Sequence, residues 1–312
     1  MGDAVVTAQA RNDSPEGTLP TSAGFVALAG RPNVGKSTLV NAIVGEKVAI
    51  VSDKPQTTRR AIRGIAMRGG AQLVLVDLPG VQRPRDALTQ RMQSRVEREF
   101  ADADAALLLL NGEQGVGPGD RFIAGALARA EIPVAIVVNK VDRLDRAHTL
   151  AALQAAAELG VSEEIFPLSA RKGTGVDALV EHLVGLLPEN PHFFDVGDPS
   201  DQPESVLLAE LIREQILRRT FQEVPHAVEV HVEEIDTERE DLTRVKALAW
   251  VEAESQKGIL IGAQGRMIKA IGIAARRELE RQLGTHVHLD LSVRVRRGWR
   301  GDDGLLDRLG IE

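Results

Sequence analysis

Short, continuously apolar runs alternate with amphipathic patterns of helical period up to about residue 188 of the chain. Strands that are apolar on both sides are typical of a parallel sheet whose two faces are covered by crossover helices. The pattern therefore predicts a doubly wound α/β domain over residues 24–188, with ligands at the carboxyl ends of its strands. The predicted strands are 24–30, 62–67, 73–77, 105–110, 133–138 and 164–168, and the predicted helices are 36–45, 86–100, 119–130, 147–158 and 175–187.

A different pattern follows the proline-rich segment 189–205, which predicts a linker. A helix at about 204–220 comes first, then two strands of alternating polarity, two helices and a last strand at 287–296. This order, α-β-β-α-α-β, predicts a smaller α+β domain over residues 206–301. The second of its two adjacent helices is expected to bury one face, which carries Ile268, Ile271, Ala275 and Leu279.

Length and composition agree with two domains and limit the chemistry. The 312 residues are enough for two buried cores, and the absence of cysteine excludes disulfides and thiolate sites. The sequence has no run of about eighteen apolar residues, so no membrane-spanning helix is predicted. The polar segment 1–23 is expected to be a flexible tail, and 302–312 a C-terminal tail.

Charge is distributed unevenly along the second domain. The whole chain carries a net charge of −7, which on its own argues against a nucleic-acid partner. Residues 257–300, however, contain ten lysines or arginines against three acids, whereas residues 204–256 contain six against thirteen. Such a concentrated basic region predicts contact with a phosphate backbone, although a merely solvated charged face is the alternative.

Residues 30–37 read GRPNVGKS, a complete phosphate-binding loop between a predicted strand and a predicted helix. Gly30 and Gly35 let successive backbone N–H groups point at an anion at the helix N-terminus. We expect Lys36 to reach the β- and γ-phosphates and Ser37 to bind Mg²⁺. The predicted nucleotide contacts in this loop are Asn33, Val34, Gly35, Lys36, Ser37 and Thr38.

The sequence DLPG, residues 77–80, follows the buried run 73–76. An acid at the end of a buried strand suits a second Mg²⁺ contact, so Asp77 is the candidate. The N–H group of Gly80 is then expected to meet the γ-phosphate. Taken alone, a Pro-Gly pair also marks an ordinary turn.

The sequence NKVD, residues 139–142, predicts that the base is guanine. The carboxylate of Asp142 can accept hydrogen bonds from guanine N1–H and the 2-amino group, which adenine lacks. Asn139 is expected to tie this segment to the phosphate loop, and the stem of Lys140 to lie over the base. The N–H groups that follow the strand 164–168, at Ser169 and Ala170, suit guanine O6. Although Asn139 alone could be a helix cap, the three motifs in this order predict guanine nucleotide.

Gly262-Ala263-Gln264-Gly265 stands between the adjacent helices of the second domain, as in K-homology (KH) domains. There a GxxG loop clamps four nucleotides of single-stranded RNA by their backbone. A plain helix–helix turn is the alternative, and the α-β-β-α-α-β order favours the KH prediction. Trp299 is expected either to stack on a base or to fill the edge of a core. The predicted RNA-binding residues are Gly262, Ala263, Gln264, Gly265, Arg266, Lys269, Arg276 and Arg277.

With GRPNVGKST, QTTR, DLPG, NKVD and the ending VRVRRGWR in this order, the chain resembles the Era family of bacterial GTPases over about residues 24–301. The resemblance implies a Mg²⁺-dependent switch that hydrolyses GTP to GDP and, in its GTP state, holds the 3′ end of small-subunit (16S) ribosomal RNA during assembly of the small (30S) subunit. It implies that Thr58 joins Mg²⁺ when the γ-phosphate is present, so that Lys36, Thr58 and Gly80 act in hydrolysis. A monomeric cytoplasmic protein with a peripheral contact to the inner face of the membrane is also expected.

Two positions depart from common patterns. Val81 stands where many GTPases have a water-orienting glutamine. In some members of the wider group that this chain resembles, K⁺ held by the asparagine at the position of Asn33 compensates, and a hydrogen bond of Asn33 within the loop is the alternative. Ala263 and Gln264 stand where GxxG loops often carry Lys and Gly, so the RNA contact is expected to depend more on the basic residues that follow.

Two other functions are compatible with parts of the sequence. A tRNA-modification or large-subunit assembly GTPase is one, and the single phosphate loop with a C-terminal KH pattern counts against it. An RNA-binding scaffold with a purely structural nucleotide is the other. The complete set of Lys36, Ser37, Thr58 and Asp77 counts against that, because a structural site has no need of a γ-phosphate sensor.

Overall fold

The first domain of the computed structural model is built on a six-stranded sheet. The structure describes residues 21–54, 56–80, 86–239 and 241–311, so Val81 and most of the predicted N-terminal tail lie outside the described residues. The strands are β1 (Ser22–Ala29), β2 (Ile62–Arg68), β3 (Ala71–Asp77), β4 (Ala105–Asn111), β5 (Val134–Asn139) and β6 (Ile165–Leu168). The helices are α1 (Lys36–Val44), α2 (Ala87–Ala101), α3 (Pro118–Leu127), α4 (Arg146–Ala157) and α5 (Val176–Leu186).

The strand order is β2-β3-β1-β4-β5-β6, with only β2 antiparallel to its neighbour. Every residue of β3 and β4 is buried, as their continuous apolar sequence predicts. On one face Leu39 and Leu179 bring α1 and α5 into the core, and on the other Phe100 and Ile123 bring in α2 and α3. The predicted doubly wound domain is confirmed.

The second domain has a three-stranded sheet with helices packed against one face, and its strands in spatial order are β7 (Glu229–Arg239), β8 (Leu242–Val251) and β9 (His286–Val295). Strands β7 and β8 are antiparallel and β8 and β9 are parallel, and the α-β-β-α-α-β order is confirmed. The elements are α6 (Glu204–Arg219), the one-turn helix α7 (Val224–Ala227), β7 (Glu229–Arg239), β8 (Leu242–Val251), α8 (Glu254–Ile261), α9 (Arg266–Leu283), β9 (His286–Val295) and α10 (Asp303–Arg308).

The ends of the predicted linker and of the predicted N-terminal tail differ from the sequence pattern. Strand β1 begins at Ser22, inside the predicted tail, because its pairing with β3 starts at Ala71. The segment that follows α5 lies along the edge of the first domain, where the buried side chain of Gln72 accepts hydrogen bonds from the N–H groups of Phe193 (2.8 Å) and Phe194 (3.1 Å). Helix α6 already begins at Glu204, so the connection ends at residue 203.

The prediction of a C-terminal tail at 302–312 is wrong for the described part of that segment. Helix α10 and the residues after it bury four apolar side chains, those of Leu305, Leu306, Leu309 and Ile311. These pack between α2 of the first domain, at Leu88 and Met92, and the outer face of the KH sheet, at Leu248 and Trp250. The segment is held in place because its apolar side chains are buried against these two partners.

Trp299 belongs to the same cluster and is fully buried. Its indole Nε1 donates a hydrogen bond to the carbonyl oxygen of Ala227 (2.9 Å). Of the two roles predicted for this side chain, filling a core is therefore confirmed and stacking on a base is not.

Among the described residues, one stretch, Glu254–Leu283, is long and apolar enough by composition to span a membrane. It is not one continuous helix, because the GxxG turn separates α8 from α9 and holds Gly262 and Gln264 at positive φ. Only a small share of it is buried within the protein.

Replacing Leu306 with alanine is expected to lower the free energy of unfolding by about 2–5 kcal/mol, because it removes buried apolar atoms and leaves a cavity in the cluster between the two domains. Urea unfolding followed by circular dichroism measures this, with the exposed Arg308→Ala on the same short helix as the control. An unchanged midpoint for Leu306→Ala would show that the C-terminal segment does not stay docked in solution.

Candidate nucleotide site and RNA-binding surface

A cavity of about 480 Å³ opens at the carboxyl ends of the parallel strands of the first domain. The phosphate loop follows β1, Asp77 ends β3, Asn139 ends β5, and Ser169 follows β6. Parallel strands thus bring motifs far apart in sequence to one edge of the sheet. Of the predicted nucleotide residues, those that line the cavity are Asn33, Gly35, Lys36, Ser37, Thr38, Gly80, Asn139, Lys140, Asp142, Ser169 and Ala170.

The phosphate loop is shaped by close contacts that only glycine permits. Gly35 has φ of 106°, and a Cβ atom there would lie 2.3 Å from Nδ2 of Asn139. Helix α1 begins directly after it with no side-chain cap, which leaves its first N–H groups free for an anion. Lys36 is buried beside the carbonyl oxygens of Gly30 (3.2 Å) and Arg31 (3.4 Å). Burial lowers the pKa of Lys36, and nearby Asp77 partly opposes that shift.

Three oxygen-bearing side chains converge where Mg²⁺ is predicted. The hydroxyls of Ser37 and Thr58 both donate to Oδ2 of Asp77, at 2.6 and 3.2 Å, and lie 3.1 Å from each other. Asp77 is fully buried, and its second oxygen, Oδ1, has no hydrogen-bond partner. Burial raises the pKa of Asp77 despite Lys36 and the two hydroxyls.

This donor set fits Mg²⁺. Hydroxyl and carboxylate oxygens are the ligands that this ion prefers, and it commonly takes one or two protein ligands together with phosphates. A cation would neutralise the buried carboxylate and satisfy its orphaned oxygen. Within the described ranges no cluster of three or more His, Cys, Asp or Glu residues offers a competing metal site.

The predicted tie between the base-reading segment and the phosphate loop is present. Buried Asn139 donates from Nδ2 to the carbonyl oxygen of Val34 (2.8 Å), while its Oδ1 accepts from the N–H of Ala170 (3.0 Å). The side chain of Val34 is buried and does not line the cavity, so only the backbone of Val34 takes part in this contact. Lys140 lines the cavity, and its Nζ atom donates to the carbonyl oxygen of Asn33 (2.8 Å).

Asp142 lines the cavity beside these residues. The hydroxyl of Ser169 is the main cause that lowers the pKa of Asp142, so this carboxylate is ionised at neutral pH. It is thus a hydrogen-bond acceptor only, as recognition of the N1–H and 2-amino groups of guanine requires.

Gly80 lies against the phosphate loop, because a Cβ atom there would be 2.8 Å from the backbone nitrogen of Pro32. This proximity agrees with the predicted contact between its N–H and a γ-phosphate. The neighbouring Val81, and with it the prediction about the missing glutamine, lies outside the described residues.

The sequence patterns missed one wall of the cavity. Residues 50–53 line it, and the carbonyl oxygen of Asp53 accepts a 2.6 Å hydrogen bond from Nδ2 of Asn33. No motif marks this segment. It is held from outside the domain, where the N–H of Val51 donates to Oε1 of Glu214 on α6 (3.0 Å). The other unpredicted lining residues are Pro32, Gln56, Thr57, Arg143 and Arg171.

The GxxG loop is a tight turn between α8 and α9. Gly262 and Gly265 have φ of 70° and 74°, and Gln264 also has a positive φ of 54°. The side chains of the predicted RNA-binding residues outside the two glycines are all exposed, so they are available to a ligand: Ala263, Gln264, Arg266, Lys269, Arg276 and Arg277.

A groove of about 410 Å³ runs beside this loop, between α9 and β9, and the sequence did not predict it. Most of its lining side chains are apolar, and Lys269 and Arg276 add positive charge to it. Ile268 was predicted to face the core, but it lines this groove, while Ile271, Ala275 and Leu279 are buried as predicted. The other lining residues are Ile273, Val287, His288, Leu289 and Leu291.

Fold and site together define a P-loop GTP-binding domain joined to a KH domain. Comparison with known families agrees: residues 25–140 match the model described as 50S ribosome-binding GTPase, and residues 223–300 match the KH domain. GTPase Era of Mycobacterium avium is 45% identical over 294 residues, which are 92% of this chain and 98% of that protein. GTPase Era of Carboxydothermus hydrogenoformans is 44% identical over 291 residues, 92% and 97% of the two chains. The chain belongs to the Era family of GTPases.

Solved structures extend the likeness to the whole fold. A crystal structure of Era in complex with MgGDPNP and nucleotides 1506–1542 of 16S ribosomal RNA has a TM-score of 0.89 and 33% identity, covering 93% of this chain and 99% of that one. A crystal structure of an Aquifex aeolicus Era variant bound to GDP and AlF4⁻ matches with the same TM-score, identity and coverage.

The position of Asp142 predicts selectivity for guanine. Replacing Asp142 with asparagine is expected to shift preference from GTP toward xanthosine triphosphate, because the amide can donate to the O2 carbonyl of xanthine. Titration of the wild type and variant with fluorescent GTP, ATP and xanthosine triphosphate measures this. Equal binding of ATP and GTP by the wild type would contradict the role given to Asp142.

Proposed function

We propose that this protein is a GTP-hydrolysing switch that binds the 3′ region of small-subunit ribosomal RNA and assists assembly of the small ribosomal subunit. One observation carries the proposal: a site built to hold Mg²⁺ and a γ-phosphate lies in the same chain as a basic KH groove. The Era structure bound to MgGDPNP and to 16S ribosomal RNA supports it.

Each part of the nucleotide site has a defined task under this proposal. Lys36 and the N–H groups that open α1 bind the phosphates, and Gly80 donates to the γ-phosphate. Ser37, Thr58 and Asp77 hold Mg²⁺, which when bound offsets charge on the β- and γ-phosphate oxygens. Thr58 makes this contact only in the GTP state, so it reports which nucleotide is present.

The RNA site combines two kinds of contact. The GxxG turn brings the backbone of residues 262–265 close to phosphates, as in other KH domains. The groove beside it accepts unstacked bases against its apolar side chains, and His288 and Arg276, which also line it, add polar contacts.

Replacing Gly265 with aspartate is expected to reduce RNA binding at least a hundredfold while basal GTP hydrolysis stays near the wild-type rate. The added carboxylate repels phosphate and blocks close approach of the backbone. Anisotropy of a labelled oligonucleotide with the 3′-terminal sequence of 16S ribosomal RNA measures affinity, which should fall steeply with salt.

The control for this change is Gly284→Asp. Gly284 has nearly the same φ, 70°, with open space around it, and lies at the far end of the 18-residue helix α9, about 27 Å away along its axis. A hundredfold loss in both variants, or in neither, would mean that the GxxG turn is not the RNA site.

A potassium ion is proposed as a second cation at the phosphates. The amide Nδ2 of Asn33 donates to Asp53, which leaves its Oδ1 as the atom that can bind a cation beside the phosphate loop. A cation is needed because the transition state spreads charge over the transferred oxygens and Val81 cannot orient water. Turnover is therefore expected to be several-fold higher in potassium chloride than in sodium chloride.

Hydrolysis rates in potassium, sodium and caesium chloride at equal ionic strength test this expectation. Asn33→Ala should lose most of the difference between the salts. Equal rates in the three salts would contradict the role of the cation. Stimulation of GTP hydrolysis would then have to come from RNA or a partner protein.

We also propose, on the family resemblance, a monomeric cytoplasmic protein with a peripheral contact to the inner face of the membrane. The cytoplasmic location is supported by the proposed ligands, because GTP and ribosomal RNA meet there. Light scattering tests the mass, and sedimentation with anionic lipid vesicles tests the membrane contact.

A further inference from the structure

The residues on both sides of Thr58 are bound by the KH domain, while the hydroxyl of Thr58 itself contacts Ser37 and Asp77 of its own domain. Arg59 is fully buried and donates to Glu229 Oε2 (2.5 Å) and to the carbonyl oxygens of Val228 (2.7 Å) and His226 (2.9 Å). Arg60 donates to Oε1 of Glu210 at 2.7 Å. Both residues directly after Thr58 are therefore anchored in the second domain.

The residue before Thr58 is anchored there too. Arg213, fully buried on α6, donates from Nη2 to the carbonyl oxygen of Thr57. The carboxylate of Glu210 fixes the guanidinium, with Oε2 at 2.6 Å from Nη2 and Oε1 at 3.1 Å from Nε. The acceptor is the carbonyl oxygen of the peptide group that joins Thr57 to Thr58, two bonds from the backbone nitrogen of Thr58.

We propose that Arg213 is a positioning residue for GTP hydrolysis, contributed by the KH domain to the active site of the GTPase domain. It holds the Thr57–Thr58 peptide so that the hydroxyl of Thr58 stays beside Ser37 and Asp77, where Mg²⁺ binds. The inference rests on the proposed role of Thr58 as a ligand in the GTP state. A planar guanidinium suits the task, because it binds a carboxylate and a carbonyl at once in fixed directions.

This role predicts a loss that depends on the γ-phosphate. GDP is bound by Lys36, Asn139 and Asp142, none of which contacts Arg213, whereas GTP also needs Thr58. In Arg213→Met, affinity for the β,γ-imido analogue of GTP is expected to fall about tenfold, the value of one hydrogen bond from a charged donor. Affinity for GDP should change less than twofold, and the Mg²⁺ concentration for half-maximal hydrolysis should rise.

Four further proteins complete the experiment, the fourth being Thr58→Ala alone. Arg213→Lys, which keeps the charge and one donor, should lie between the wild type and Arg213→Met. Arg219→Met is the matched control, because Arg219 lies on the same helix and its Nη1 donates to the backbone and side-chain oxygens of Gln215. In Thr58→Ala combined with Arg213→Met, preference for GTP should be no lower than in Thr58→Ala alone, since Arg213 acts through Thr58.

The outcomes separate this proposal from the function on which it rests. Equal losses for GDP and the GTP analogue in Arg213→Met would show a merely structural role and overturn it, as would no loss in either. Additive losses in the double variant would also overturn it. If Arg213→Met fails to fold, Arg213→Lys and the double comparison with Thr58→Ala/Arg213→Lys give the same tests. Failure of the proposed function would instead appear in the wild type, as GTP binding without Mg²⁺-dependent hydrolysis.

Discussion

The ion pair between Arg59 and Glu229 joins the two domains at a place that water does not reach. Both side chains are fully buried. Burial lowers the pKa of Arg59 to about 10, against the pull of Glu229. Burial alone would raise the pKa of Glu229, yet Arg60 and Arg59 bring it down to about 2. Both groups are therefore ionised across the neutral range, and loss of either would leave an uncompensated charge in the interior.

A buried ion pair of this kind contributes little net stability, because removing charge from water offsets much of the attraction. The arrangement chosen here places α6 and β7 against the segment from Lys47 to Arg60. Lys47 extends the contact to the RNA-binding helix, since its Nζ lies 2.7 Å from Glu214 and 2.8 Å from Glu278 on α9. Lys47 thus connects the segment that precedes Thr58 to the helix that carries the four basic residues predicted to bind RNA.

The sequence predicted those features that are determined locally. The strands of the first domain, its phosphate loop and the α-β-β-α-α-β order each depend on the period of apolar residues or on a contiguous motif. The sequence also predicted that Asn139 contacts the phosphate loop, because the carboxyl ends of parallel strands converge.

What the sequence did not reveal depends on surfaces that come together only in the folded chain. The groove needs α9 beside β9, and Ile268 has the same spacing whether it faces that groove or the core. The wall formed by residues 50–53 is held by Glu214, more than 150 residues away. The segment after residue 301 has too few apolar residues to predict burial, and its partners come from α2 and the KH sheet.

That last segment has a consequence for synthesis of the chain. All strands and helices of the GTPase domain precede residue 188, so most of it can fold as soon as this part leaves the ribosome. Leu88 and Met92 on α2, however, face water until residues 305–311 have also emerged, more than two hundred residues later. A nascent chain thus exposes apolar side chains of α2 that the finished protein buries.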